Sequence, residues 1–201
     1  MNLTKKQIKK IERFALNHYK TLDEMHGIEH AERTVKLAEY LAKKEGANVQ
    51  IARLGVLLHQ FHNGKIVEKF LKRLKIDKGI IKQLVHCVES SGRENIPKAK
   101  TIEAKVVYDP KAKTIEAKVV YDADKLQVVG PFGIIREISC DVASPRNKKF
   151  REALKHTKMV EERCFETLQT KTAKNLAKKP YQFILKFWKI FDKWDKAKLY
   201  L

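Results

Sequence analysis

Four short clusters carry the side chains from which proteins build metal sites: His26-Gly27-Ile28-Glu29-His30, Leu57-Leu58-His59-Gln60, His86 and Asp122-Ala123-Asp124-Lys125-Leu126. Imidazoles and carboxylates that converge from separate helices are how a helical protein holds a divalent ion. His26 and His30 are four apart, so on a helix they share a face. His59 closes the apolar stretch Leu54–Leu58, where a buried imidazole needs a polar partner. Asp122 and Asp124 lie between Val119-Val120 and Leu126, and the i,i+2 spacing sends them in different directions, so one of them should face inward. Each cluster alone has a plainer explanation: a surface histidine pair, a satisfied core histidine, an exposed acidic face. Gln60 stands where metal chemistry would want a carboxylate.

The elements that must position these residues read as helices nearly throughout. Thr4 with Gln7 three residues on makes a capping box, and Ile8, Ile11, Phe14 and Ala15 follow at helical spacing. A loop at Leu22–Asp23 leads to a helix over Ile28–Lys44, which Gly46 stops. Asn48 caps the next, Val49–His59, apolar on most sides and therefore central. Gly64 breaks the chain before a helix bearing Ile66, Val67, Phe70, Leu71 and Leu74. Asp77 caps another that ends at Ser90-Ser91-Gly92. Further helices are expected over Ile115–Val129, Pro131–Ile138, Lys149–Lys179 with a break, and Tyr181–Leu199. No segment shows sustained period-two alternation, so the fold class is all-α.

Residues 97–109 and 110–122 are an unbroken tandem copy, Pro-Lys-Ala-Lys-Thr-Ile-Glu-Ala-Lys-Val-Val-Tyr-Asp twice. Identity at every position indicates a recent or engineered duplication, since an old structural repeat would have drifted. At about 100° per residue, a thirteen-residue step turns the apolar face by roughly 220°. The two copies therefore cannot present one stripe to one core along a continuous helix, and Pro110 disfavours continuity as well. The second copy, joined to Asp122–Leu126, is expected to hold the native position. The first is expected to loop out, form an extra helix or mediate dimerisation.

The chain has 201 residues, 43% hydrophobic and 33% charged, which suits one soluble domain over 1–201 with a substantial core. Its formal net charge is +19. Sixteen Lys/Arg against six Asp/Glu from Arg146 to Leu201 supply +10 of that. Such an excess favours anionic partners, namely nucleotides, nucleic acid or acidic surfaces, although a solvated lysine-rich surface is the bland alternative. No run of six basic residues and no glycine–aromatic motif of an RNA-binding sheet is present. Cys87, Cys140 and Cys164 are odd in number and widely spaced, as for reduced, buried thiols of a cytoplasmic protein. Met1–Lys10 is polar and has no apolar core, so it is no signal peptide. The apolar runs Val56–Leu58 and Phe183–Leu185 are too short to span a bilayer. Phe183, Ile184, Phe187, Trp188, Phe191 and Trp194 form a helical stripe that docks on a core or, given its lysines, lies on a partner or membrane surface.

The order His…His-x…Asp resembles the HD-domain metal-dependent phosphohydrolases, most closely their small single-domain branch. The matching strings are His26-Gly27-Ile28-Glu29-His30-Ala31-Glu32-Arg33, Leu57-Leu58-His59-Gln60 and Asp122-Ala123-Asp124-Lys125-Leu126. Gly130-Pro131-Phe132-Gly133-Ile134-Ile135-Arg136 is similar to a further segment of the family. The resemblance implies an HD-type helical bundle in which His30, His59 and Asp124 ligate a divalent metal (Mn, Ni, Co, Fe, Mg or Zn), with residue 60 as fourth ligand. It places His26 and His86 beside the site, to bind phosphate, relay protons or help hold a second ion. Lys65, Lys125, Arg136 and Arg33 become candidates for phosphate contact or support.

Gln60 departs from the family, which has aspartate there. Glutamine offers a neutral carbonyl on a longer arm, so metal should bind more weakly and any bound water should be less acidic. Asn63 and Gln127 also stand near positions where relatives often carry acids. Three readings follow. The chain is a phosphohydrolase of a small phosphorylated substrate, a nucleotide first among candidates, with activity reduced or lost through Gln60. It is a non-catalytic HD-type module that binds a nucleotide or nucleic acid. Or it is a helix-insertion variant of an HD protein.

Overall fold

The structure, a computed structural model, describes residues 3–91, 112–143 and 148–196. Among the described residues the regular elements are nine α-helices. They are α1 (Lys5–Tyr19), α2 (Ile28–Glu45), α3 (Val49–Leu58), α4 (Gly64–Arg73), α5 (Lys78–Ser91), α6 (Ile115–Lys125), α7 (Pro131–Ala143), α8 (Phe150–Glu166) and α9 (Lys171–Asp195). Short 3-10 turns at Glu24–His26 and His59–Phe61 supplement them. The chain divides into two compact units, Met1–Asp124 and Lys125–Leu201.

The first unit is organised around α3, which packs against α1, α2 and α5. Local chemistry sets the helix ends. Thr4 and Gln7 form the reciprocal capping box of α1. Gly46, at φ +70°, ends α2 in the left-handed conformation that glycine adopts without steric cost. Asn48 Oδ1 accepts from the Gln50 and Ile51 amides and so caps α3. Close packing needs Gly55. A Cβ there would lie 2.9 Å from Cys87 Cβ and 3.0 Å from Val120 Cγ2, so its absence lets α3 settle against α5 and α6.

The second copy of the duplication supplies α6. Ala117, Val119, Val120 and Tyr121 are fully buried. Glu116 Oε1 accepts from the Asn48 amide at 3.0 Å, fastening the copy to the α2–α3 junction. Residues 97–109, the first copy, lie outside the described residues. The three cysteines are buried, and burial together with nearby Glu116 pushes the Cys87 thiol up to about 12.

In the second unit α7 packs on α8, and α9 lies against both. Several boundaries differ from those expected. Asn63, not a break at Gly64, starts α4: Asn63 Oδ1 accepts from the Lys65 and Ile66 amides, and Gly64 is already helical. Helix α6 stops at Lys125, short of Val129, and α7 runs beyond Ile138 to Ala143. The break near the C-terminus falls at 167–170, where Thr170 Oγ1 accepts from the Ala173 amide and starts α9. Pro180 does not divide the helix. It forfeits one backbone bond, to the Leu176 carbonyl, and Leu176 is solvent-exposed, so water can serve that oxygen.

Candidate metal centre

The C-terminal end of α3 delivers the centre of the site. After Leu58 the helix tightens into the 3-10 turn His59–Phe61. Phe61 stacks on Phe14 at 4.6 Å and on the His18 ring at 4.2 Å. His18 Nε2 also lies 3.1 Å from the Gln60 carbonyl oxygen, so α1 fixes this turn from outside. His59 and His30 are both fully buried, His30 on the first turn of α2. Asp124, near the end of α6, is the third contributor, its side chain 15% exposed.

His30 Nε2 and His59 Nε2 stand 3.4 Å apart. Asp124 Oδ1 is 3.6 Å from each of them. These separations are too long for good hydrogen bonds, but they suit shared ligation. Atoms held 2.0–2.2 Å from one tetrahedral ion stand about 3.3–3.6 Å from one another. The three are the group of His, Cys, Asp and Glu among the described residues whose ligand atoms lie within 4.8 Å of one another. The tautomer also fits. His59 Nδ1 bonds to the Val56 carbonyl, which can only accept, so Nδ1 carries the proton and the Nε2 lone pair faces Asp124 and His30. The Tyr19 hydroxyl donates to the same carbonyl at 3.2 Å. Burial, with the Asp124 charge adding, holds that hydroxyl protonated far above the usual phenol range.

Gln60 closes the arrangement. Its carboxamide nitrogen lies 3.1 Å from both His30 Nε2 and His59 Nε2, and its Oε1 lies 3.1 Å from His62 Nε2. Two imidazole lone pairs this close repel unless a donor or a cation stands between them, and the amide N–H groups are that donor. For Gln60 to ligate through oxygen the carboxamide must turn over, exchanging its NH2 and carbonyl positions. His59, His30 and Asp124 therefore fit a divalent ion as they stand, and Gln60 fits the same place without one.

A family model described as HD domain matches residues 27–128, about half of the chain. The chain belongs to the HD-domain family. Solved structures with the same fold include Bacillus subtilis YpgQ in complex with ADP, 21% identical, with a TM-score of 0.68, covering 92% of this chain and 96% of that one. An HD-superfamily hydrolase from Bacillus thuringiensis is 23% identical at a TM-score of 0.68, covering 96% and 98%. A protein from Lactobacillus plantarum is 21% identical at a TM-score of 0.77, covering 98% and 100%. No curated relative matches the chain by sequence.

Of the other residues singled out in the sequence, His26 sits beside the HD site. Its ring centroid is 6.0 Å from that of His30, and its Nδ1 is 2.8 Å from Asp23 Oδ1. Partial burial works against the Asp23 carboxylate, yet the His26 hydrogen bond and charge outweigh it and hold the group below its usual range. His86, on α5, accepts the Lys113 amide at Nε2 (3.0 Å), so here it pins the start of the second copy. Burial depresses its basicity, opposed by Glu89 and assisted by Lys113. Arg33 pairs with Glu29 at 3.1 Å on α2. Lys65 is exposed on the first turn of α4. Lys125 and Arg136 belong to the second unit, where both are buried and Arg136 Nη1 lies 3.3 Å from Glu137 Oε1.

Asp122 and Asp124 both turn inward, Asp122 being fully buried, where one inward acid was expected. Tyr19 and His18 were not foreseen from the sequence, nor was the contact of His62 with the Gln60 carboxamide. Tyr19 had a usable signal: it continues the Ile8, Ile11, Ala15 stripe of α1, so its hydroxyl had to find a partner inside.

Proposed function

We propose that this HD-domain chain is a metal-dependent phosphohydrolase acting on a small phosphorylated substrate, a nucleotide first among candidates. The observation that carries the reading is the meeting of His30, His59 and Asp124 at ligand-to-ligand separations. A divalent ion held there would polarise a phosphoryl oxygen and acidify water at neutral pH. The chain's own residues do the positioning. The Val56 carbonyl and Tyr19 orient His59, α2 fixes His30, and His26 sits beside the pair, paired with Asp23, where it can exchange a proton. The ADP complex of YpgQ and the net charge of +19 support an anionic, nucleotide-like substrate.

The experiment is a phosphate-release screen over nucleoside mono-, di- and triphosphates after reconstitution with Mn, Co, Ni, Fe, Mg or Zn. Slow release is expected, raised at least tenfold by Gln60→Asp and abolished by Asp124→Asn. Absence of release with every ion from both the parent and Gln60→Asp would end the enzyme reading. The second reading, a non-catalytic nucleotide-binding module, draws on the Gln60 amide that satisfies both imidazoles without an ion. It predicts nucleotide binding by calorimetry, with and without metal, and no turnover. Nucleic-acid binding and a homodimer are further proposals that rest on net charge and on the duplicated segment alone.

A further inference from the structure

The C-terminal helix carries two apolar faces where one is enough to fold. Ala173, Ala177, Ile184 and Trp188 are buried within the second unit, and Trp188 Nε1 donates to Glu161 at 2.6 Å. A second row, Phe183, Phe187, Ile190 and Trp194, recurs at i, i+4, i+7 and i+11 and lines a shallow groove with Lys186. Trp194 is 67% exposed, and Phe183 and Ile190 are each 46% exposed. Phe187 is half-buried, but folding of the unit leaves Phe183, Ile190 and Trp194 in water, which is the behaviour of a surface that binds something.

The charges around the row say what. Helix α9 holds seven lysines and two acids. Both acids are drawn into ion pairs, Asp192 with Lys158 at 2.7 Å and Asp195 with Arg151. What the helix offers outward is therefore aromatic side chains bordered by ammonium groups, with Lys179 and Lys186 on one shoulder of the row. A second copy of the helix is a poor occupant, because self-pairing along this stripe sets lysine against lysine. A nucleic acid would use the lysines and gain little from the phenylalanines. An anionic bilayer surface uses both, since aromatic rings enter the headgroup–acyl boundary and lysines remain among the phosphates. No described helix is long and apolar enough to cross a membrane, so the contact is with the surface.

We infer that the outer face of α9, Phe183–Trp194, docks reversibly on membranes rich in anionic lipid. The test is co-sedimentation of the full chain with vesicles of phosphatidylcholine alone or with about one-third phosphatidylglycerol, read together with tryptophan emission. Binding to the anionic vesicles, a blue shift that Trp194→Phe removes, and release by high salt are expected. Each lysine near such a surface is worth roughly fivefold in partitioning. Lys179→Glu with Lys186→Glu should therefore weaken binding by at least about 25-fold. Phe183→Gln with Trp194→Gln should abolish it while leaving circular dichroism unchanged, because these side chains are exposed. Three results overturn the inference: no vesicle binding, a concentration-dependent dimer that Trp194→Gln dissolves, or oligonucleotide binding indifferent to Trp194→Gln in a chain that ignores vesicles.

Discussion

Gln60→Ala in chelator removes one carboxamide and separates the two accounts of the site. The amide donates to His30 Nε2 and His59 Nε2 at 3.1 Å each, and both rings are fully buried. A buried acceptor left without a donor costs about 1–3 kcal/mol. Two such losses would come to about 2–6 kcal/mol, but Gln60 is 9% exposed, so water can enter the vacated space and recover part. The expected destabilisation in chelator is about 2–3 kcal/mol. A divalent ion takes the same two lone pairs, so metal at a hundred times its Kd should return about 2.7 kcal/mol to the variant. The parent must first turn its amide and gains less. Gln60→Asp adds a second carboxylate opposite Asp124, so it should be the least stable in chelator and gain the most from metal. Urea unfolding of the three proteins with EDTA and with excess Mn or Ni measures all of this. If Gln60→Ala stays within 0.5 kcal/mol of the parent in chelator, or metal stabilises parent and variant equally, the bridging amide has no such role.

Gly55→Ala should lose about 1–2 kcal/mol in thermal unfolding despite alanine's better helix propensity, because its Cβ would crowd Cys87 and Val120; a higher melting temperature would show that α3 can shift. Glu161 is buried, with Oε1 unpaired and Oε2 taking the Trp188 indole, and burial, with the nearby Glu137 charge, raises its carboxyl to about 7. The folded chain thus binds the extra proton between about 4.5 and 7, so this group's contribution is fullest at low pH and is lost as pH rises through that window. Glu161→Gln keeps the indole acceptor and should stabilise the chain at pH 8 by about 1–2 kcal/mol with little change at pH 4.5, and equal effects at both pH values would refute the cause. Deleting residues 97–109 should leave stability within about 1 kcal/mol, because α6 is built from the second copy; loss of folding would make the first copy structural.

Legibility in the sequence followed how local the cause was. Capping residues announced the starts of α1, α3 and α5, since Thr4, Asn48 and Asp77 act on amides two or three residues away. His30, His59 and Asp124 were named from motif order, and that order survives because each lies at a helix end aimed at the same place. Long-range partners were harder to see. Nothing near His59 in the chain announces that Tyr19 shares the Val56 carbonyl with its ring, or that His18 holds the Gln60 backbone. The amide orientation of Gln60 depends on His30, on a different helix, and on His62 in a left-handed conformation at φ +50°. Pro180 misled for a simpler reason: a helix with one open face can lose a single backbone bond and continue.

Side chains from α2, the end of α3 and α6 converge as ligands of one divalent ion would. Metal stoichiometry by mass spectrometry, after reconstitution and desalting, tests whether they hold it. The parent and Gln60→Asp should each hold close to one ion per chain, with tighter retention in Gln60→Asp, and His59→Ala with Asp124→Asn should hold none. Equal metal in that double variant and in the parent, or none in Gln60→Asp, would contradict the account.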